Sequence, residues 1–336
     1  MPRGWTKLTI FVGKRFLQLL PVLFGVIVIT FILVHVGPDP CTAWYAHAGS
    51  TTLHDCVVAY QRPLTTQFWS YFTGLLSGNW GSAPHGAAVL PTLLTVAPAT
   101  IELVLAALFL MIVIGIPLGV VAANSSGRLG DHLVRLFYLS GWATPTYLGA
   151  VVAAVALAPI LGLPASGDYT VTPPPFPQYT HMSVLDALIA LNGPYTLDAI
   201  AHLILPASVL AFINLGVATR MTRSAMLEVL PLDYVKTARI KGLSEFWVLY
   251  KHALRNALIT TTTVLGVEAG GLLAGTVVVE SVFAWPGMGG YAYDAILNYN
   301  FDGTIGVVII FAVGVVIANL VADVVYGILD PRVEWR

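Results

Sequence analysis

Residues 99–123 read ATIELVLAALFLMIVIGIPLGVVAA, twenty-five positions with a single charged residue, Glu102. A hydrocarbon layer about 30 Å thick is crossed by roughly 20 apolar helical residues, so this stretch is long enough to span a bilayer. Five more stretches of the same character follow or precede it, at 16–36, 133–158, 201–218, 259–283 and 305–329. Pro206 and Asn214 interrupt the 201–218 stretch, the least regular of the set. Pro21, Pro117 and Pro145 also fall inside spans, where neighbouring helices re-satisfy the backbone groups that proline frees. The rest of the composition agrees: 57% of the 336 residues are hydrophobic and 10% charged, with mean hydropathy +0.80. Soluble domains carry charge on about a quarter of their residues. The reading is an all-α polytopic membrane protein with six transmembrane helices.

The first apolar stretch follows Lys14 and Arg15, as a secretory signal would. It is too long for one, and Gly37-Pro38-Asp39-Pro40 offers no small-residue cleavage site, so a retained anchor helix is expected. Lys and Arg set the orientation. Fifteen fall in alternate segments: the N-terminus, 124–135, 216–256 and the C-terminus. The intervening segments hold one, Arg62. The positive-inside rule puts the fifteen, and both termini, in the cytoplasm. The expected division is 1–94 as a transmembrane helix with an extracytoplasmic loop, and 95–330 as the main transmembrane domain. The two halves show no convincing internal repeat, which disfavours inverted-repeat secondary transporters.

The long cytoplasmic connection, 216–256, has marked helix ends. Pro231 suits a first helical position and Asp233 favours the positive end of the helix dipole. Lys236, Arg239 and Lys241 load the C-terminal half, and Gly242 supplies a left-handed stop. The result is a helix near 231–242, too short and too charged to cross a membrane. Ser244 and Glu245 then open a second helix, with Phe246, Trp247, Tyr250 and Leu254 near helical spacing. From spacing alone, this hairpin reads equally as a surface helix drawn to anionic lipid or as a docking element for a cytoplasmic partner.

The residues of this hairpin and its flanks resemble the dipeptide/oligopeptide permeases of ABC importers. The matching positions are Leu205-Pro206-Ala207, Arg220, Arg223-Ser224, Met226-Leu227-Glu228, Asp233-Tyr234-Val235, Thr237-Ala238-Arg239, Lys241-Gly242-Leu243 and His252 to Ala257. Gly37 to Pro40, Gly78-Asn79-Trp80-Gly81, Gly115 to Gly119, Glu280 to Gly287, Asn319, Asp323 and Asp330-Pro331-Arg332 extend the resemblance along nearly the whole chain. In binding-protein-dependent importers this loop carries Glu-Ala-Ala, three residues, Gly, nine residues, then Ile-x-Leu-Pro. Here Ala238, Gly242 and Leu254 match, while the Glu, the first Ala, the Ile and the Pro do not. The resemblance implies a type I ABC importer transmembrane domain. It also implies a coupling helix seated on an ATPase through Asp233, Tyr234, Ala238, Arg239, Lys241, Gly242 and Leu254. Small Ala238 and Gly242 would permit close approach, and Arg239 and Lys241 would pair with the partner's acids. It further implies four kinds of partner: a second homologous permease, two cytoplasmic ATPase subunits, an extracytoplasmic substrate-binding protein and membrane lipid. Peptides are the substrate it implies first, with oligosaccharides or a nickel chelate as alternatives.

No Gly-x-x-x-x-Gly-Lys-[Ser/Thr] loop occurs, so the chain is expected to bind no nucleotide itself, ATP being used by partner subunits. No catalytic nucleophile and base emerge, and nothing points to nucleic acid. Glu102, Glu268, Glu280 and Asp323 lie in or near spans, where carboxylates are functional candidates by default. A proton-driven transporter using Glu102, Glu280 or Asp323 is the competing class; the family resemblance favours Glu280 and Asp323 as helix-packing and gate residues. Asn214, Thr219 and Thr260–Thr263 either face a pathway or bond back within their helices. Cys41 and Cys56, the two cysteines, are candidates for a disulfide in the outer loop. His47 and His54 between them lack regular ligand spacing, and no metal site is expected.

Overall fold

The computed structural model describes residues 2–36, 61–83, 87–172 and 174–329. The Cys41–Cys56 pair and the 37–40 and 330–332 motifs lie outside them. Among the described residues the elements are α1 (Pro2–Val36), α2 (Leu64–Leu76), α3 (Val89–Asn124), α4 (Leu129–Ala143), α5 (Thr146–Leu161), α6 (Ser183–Ile189), α7 (Gly193–Val229), α8 (Asp233–Ile240), α9 (Glu245–Phe283), α10 (Met288–Leu297) and α11 (Phe301–Leu329). Strand pairing among these residues is limited to one bridge between Ser82 and Ala88.

Four helices, α3, α7, α9 and α11, are long and apolar enough to cross a membrane, and α4 with α5 makes a fifth if that bent pair is one span. The sixth expected span falls on α1, whose apolar stretch Leu20–Leu33 is shorter. Three sequence readings are corrected. The 133–158 stretch is not one straight helix, because α4 and α5 meet at 102°. Proline crowds the residue before it out of the helical region, and Thr144 is extended (φ −83°, ψ 120°) ahead of Pro145. The 201–218 stretch is no weak span: α7 runs unbroken for 37 residues through Pro206, about 55 Å. Its interior packing on α3, α4 and α9 outweighs one missing hydrogen bond. The helix that begins at Glu245 does not stop before the fifth span but continues into it as α9, through a π-helical turn at Val248–Ala253. Similar turns sit in α3 (Met111–Gly115) and in α5 (Ala153–Leu157).

Small residues let the spans approach closely, as expected where lipid gives no hydrophobic drive between helices. A Cβ on Gly115 would lie 2.7 Å from Ala218 Cβ, and one on Gly119 2.6 Å from Thr222 Cβ, so α3 meets α7 backbone to side chain. The approach of α9 to α11 is tighter still, with a Cβ on Gly266 only 2.0 Å from Ala322 Cβ. Outside this core, α1 packs on α11 and joins α2 through edge-to-face contacts of Phe24 and Phe31 with Phe68 and Phe72.

Contacts sort the connections into two ends. Ser82 N donates to Asp302 (3.3 Å), Gly167 N to Phe283 O (2.8 Å), and Ser183 N to Glu102 (2.8 Å), so residues 78–83, 87–88, 162–172, 174–192 and 284–302 share one end. Segments 124–128 and 229–257 meet at the other, which holds the basic residues.

Candidate functional site

At the basic end, α8 is an eight-residue helix, Asp233–Ile240, about two turns long and two residues inside the expected 231–242 at each end. Val235 and Ala238 turn inward, into a cluster with Val120, Ala123, Met226, Val248, Leu249 and Leu254. Ala238 (5% exposed) and Leu254 (7%), two of the expected coupling residues, pack in the core of this chain. Ala238 shares a helix face with Val235 three residues before it, and Leu254 lies five residues after Leu249, across the π-helical turn at Val248–Ala253. Gly242 has φ +76° and open space around the position of a Cβ; only glycine adopts that conformation without strain. Ser244 occupies the residue before α9 but makes no side-chain cap, contrary to its expected role.

The hairpin's charges are largely spoken for. Lys236 Nζ lies 3.0 Å from Asp233 Oδ1, and Arg239 donates to both Glu245 oxygens, at 3.2 and 2.7 Å. Glu245 thereby holds the Arg239 guanidinium above its ordinary pKa. Arg239 thus already has an acid within the chain, whereas Lys241 is exposed without a described ion pair. Tyr234 Oη accepts from Asn256 Nδ2 at 2.6 Å, tying α8 to α9. The outward surface is apolar: Ile240 is 86% exposed, Phe246 60%, Trp247 53% and Leu243 42%.

At the opposite end, Glu280 is fully buried. Its Oε1 accepts from Thr100 Oγ1 (2.8 Å) and its Oε2 from the N–H groups of Gly289 (2.6 Å) and Gly290 (3.3 Å). Thr100 Oγ1 also accepts from Met288 N at 2.7 Å. The first three N–H groups of α10, orphans of any helix start, are therefore all satisfied from α3 and α9, and a carboxylate sits at the positive end of the helix dipole. Trp285 closes the corner by donating from Nε1 to Ala99 O (2.9 Å). Glu102, one turn along α3, repeats the device on α6, accepting from Ser183 N (2.8 Å) and Val184 N (2.9 Å). Tyr169 Oη donates to Ser183 O, and burial pushes its phenol above the ordinary value.

Between the ends lies an apolar groove of about 610 Å³, bounded by α3, α9 and α11. Ile101, Leu105, Leu265, Ile317 and Val321 line it, with Thr262 as a polar member. Its lining includes none of Asn214, Glu280 and Asp323. Asn214 Nδ2 bonds back to Leu210 O (2.8 Å) within α7, and Thr261 and Thr263 bond back likewise. Thr219 is buried against α3 at Gly115. Asp323, half-buried, follows groove-lining Ala322 on α11. The groove itself was not legible in the sequence, because its residues share the composition of every other span.

Sequence reasoning also passed over Asp131. It is fully buried at the basic end in the first turn of α4. Arg223 of α7 clamps it with two hydrogen bonds of 2.8 Å, Arg135 with two of 3.0 Å, and Gly127 N donates at 3.0 Å. The Asp131/Arg135 spacing of four was a visible signal, but the partner 92 residues away was not.

Set against known proteins, residues 115–335 match the family described as binding-protein-dependent transport system inner membrane component. The chain belongs to that family. It is 40% identical to the probable D,D-dipeptide transport system permease protein DdpB of Escherichia coli K12, over 95% of this chain and 96% of that protein. It is 39% identical to the di/tripeptide transport system permease protein DppB of Pseudomonas aeruginosa (97% and 99% covered), and 32% to the oligopeptide transport system permease protein AppB of Bacillus subtilis (97% and 99%). A chain of the MetNI methionine ABC transporter, solved in inward-facing conformations, superposes with TM-score 0.50 at 16% identity, covering 69% of this chain and 93% of that one. The expected fold class, an all-α type I ABC importer transmembrane domain, is the fold of this multi-pass membrane protein.

Proposed function

We propose that this chain forms half of the membrane pathway of an ATP-driven importer of di- and oligopeptides. The observation that carries the reading is the basic-end hairpin. Its inner face is sealed into the chain's own core while Ile240, Leu243, Phe246 and Trp247 stay uncovered beside a charged helix. Exposed apolar clusters rimmed by charge are what partner surfaces look like. The partner is a cytoplasmic ATPase, one of two, and the chain supplies no ATP site or other catalytic centre of its own.

The apolar groove of α3, α9 and α11 faces a second, homologous permease, so that the pathway forms between the two. The capped helices α6 and α10 present the surface met by an extracytoplasmic binding protein. Both termini are cytoplasmic, with 1–94 a peripheral helix and loop and 95–330 the domain common to such permeases. Dipeptide and oligopeptide relatives at 32 to 40% identity support a peptide substrate. The test is to purify the chain with its ATPase subunits and measure uptake of a labelled dipeptide into proteoliposomes. ATP-dependent uptake is expected. Uptake that persists without the ATPases and collapses with a protonophore overturns the reading.

A further inference from the structure

The Asp131 cluster has a geometry that goes beyond holding a loop. Asp131 stands at the start of α4, and its two arginines come from different places. Arg135 is on α4 itself, one turn along. Arg223 is on α7, six residues before that helix ends at Val229. From there the chain reaches α8 with no slack: Leu230 N bonds to Met226 O (2.9 Å), Leu232 N to Val229 O (3.1 Å) and Val235 N to Leu232 O (3.0 Å). The coupling hairpin and the end of α7 are therefore one hydrogen-bonded body. On the far side of Asp131, α4 runs straight to the bend at Thr144-Pro145, beyond which α5 heads for the opposite end of the molecule.

We infer that the bidentate Asp131–Arg223 pair is the strut that makes α4 follow the coupling hairpin, so that a displacement of α8 is delivered to the α4–α5 bend. Three features fit a strut better than a loop staple. The pair joins two helices through two parallel hydrogen bonds, a geometry that fixes orientation as well as distance. The carboxylate is itself buried and Arg223 is 17% exposed, so water has limited access to the link. Arg223 Nη2 also reaches Ser126 Oγ at 3.4 Å, which brings the α3–α4 turn into the same body. Arg223 and Asp131 are in this sense positioning residues for transport. The inference rests on the importer reading.

The arrangement supplies its own control. Arg223→Gln and Arg135→Gln each leave Asp131 one arginine, so neither strands the buried carboxylate, but only the first removes the ion pair between α4 and α7, leaving their apolar packing at Phe137/Phe212 and Tyr138/Gly216 in place. The full complex, with ATPases and binding protein, is reconstituted in proteoliposomes; ATP hydrolysis with and without binding protein and uptake of labelled dialanine are measured. Arg223→Gln is expected to assemble and to keep basal hydrolysis, while uptake per ATP falls about tenfold, within the range by which single side chains change coupling between sites. Arg135→Gln leaves that ratio unchanged, and Arg223→Lys, which keeps the charge but loses the fork, falls between them.

Equal ratios in Arg223→Gln and Arg135→Gln overturn the inference. So does a failure to assemble confined to the Arg223 variants, since the pair would then be a folding element. The two readings separate cleanly. A wild-type complex without ATP-dependent uptake refutes the peptide-importer proposal. A wild-type complex that couples, with Arg223→Gln coupling as well, refutes the strut alone.

Discussion

The two ends of this molecule each bury carboxylates, and they neutralise them differently. At the end that holds α6 and α10, Glu280 and Glu102 lie against backbone N–H groups at helix starts. At the basic end, Asp131 lies between two guanidinium groups, and Glu245 pairs with Arg239. The sequence makes this necessary. The connections at the first end hold Arg62 as their one basic residue, against fifteen elsewhere, so an acid there has peptide dipoles for partners rather than side-chain cations. A helix N-terminus offers roughly half a positive charge and several aligned donors, enough to hold a carboxylate that also receives a threonine hydroxyl. Topology thus dictates the chemistry of burial as well as the orientation of the chain.

The largest effect expected at the basic end is functional. Gly242→Asp puts a carboxylate on the exposed tip of the hairpin at φ +76°; uptake should fall about 100-fold, as when a charge is set in an interface, while membrane insertion stays normal. Normal uptake would remove the hairpin from the docking surface. Next comes Asp131→Asn, which leaves two arginines around a neutral amide and should lower stability by about 3 kcal/mol. Glu280→Gln is its counterpart at the other end. Backbone donors need an acceptor more than a charge, so that loss should be about 1 kcal/mol, with Glu280→Ala costing about 3 as buried donors lose their partner. Thermal unfolding in detergent of these three variants decides whether the two ends differ as described; equal losses for Asp131→Asn and Glu280→Gln would erase the distinction. Smallest is Glu245→Ala. The Arg239–Glu245 pair is about half exposed, so its removal should cost about 0.5 kcal/mol, a difference that vanishes in high salt.

Much of the site near the hairpin was legible because its signals are local. Asp233 opens α8 and Gly242 ends it in the left-handed region, as glycine after a basic turn suggests. Whether α8 faced lipid, partner or its own chain was not legible. Val235 and Ala238 are indistinguishable in type from surface residues until Val120, Met226 and Val248 arrive to cover them. Glu280 and Glu102 stood out as charges in apolar stretches, yet the sequence offered proton carriers and packing residues alike. Their partners are main-chain N–H groups of whatever helix folds back, and a backbone donor leaves no mark in a sequence.

The sequence by itself determined that the chain crosses a membrane, roughly where, and that a short charged hairpin interrupts the spans. Hydrophobic length, charge placement and glycine and proline stops are properties of adjacent residues, and the bilayer reads them one segment at a time. Only the tertiary structure decided that the third stretch bends by 102°, that α7 ignores its proline, that Ala238 and Leu254 face inward, and that Asp131 finds Arg223 across 92 positions. Each depends on which helices lie side by side. That choice is made by close approaches such as Gly266 on Ala322 and Gly119 on Thr222, where contacts summed over distant parts of the chain outweigh local preference.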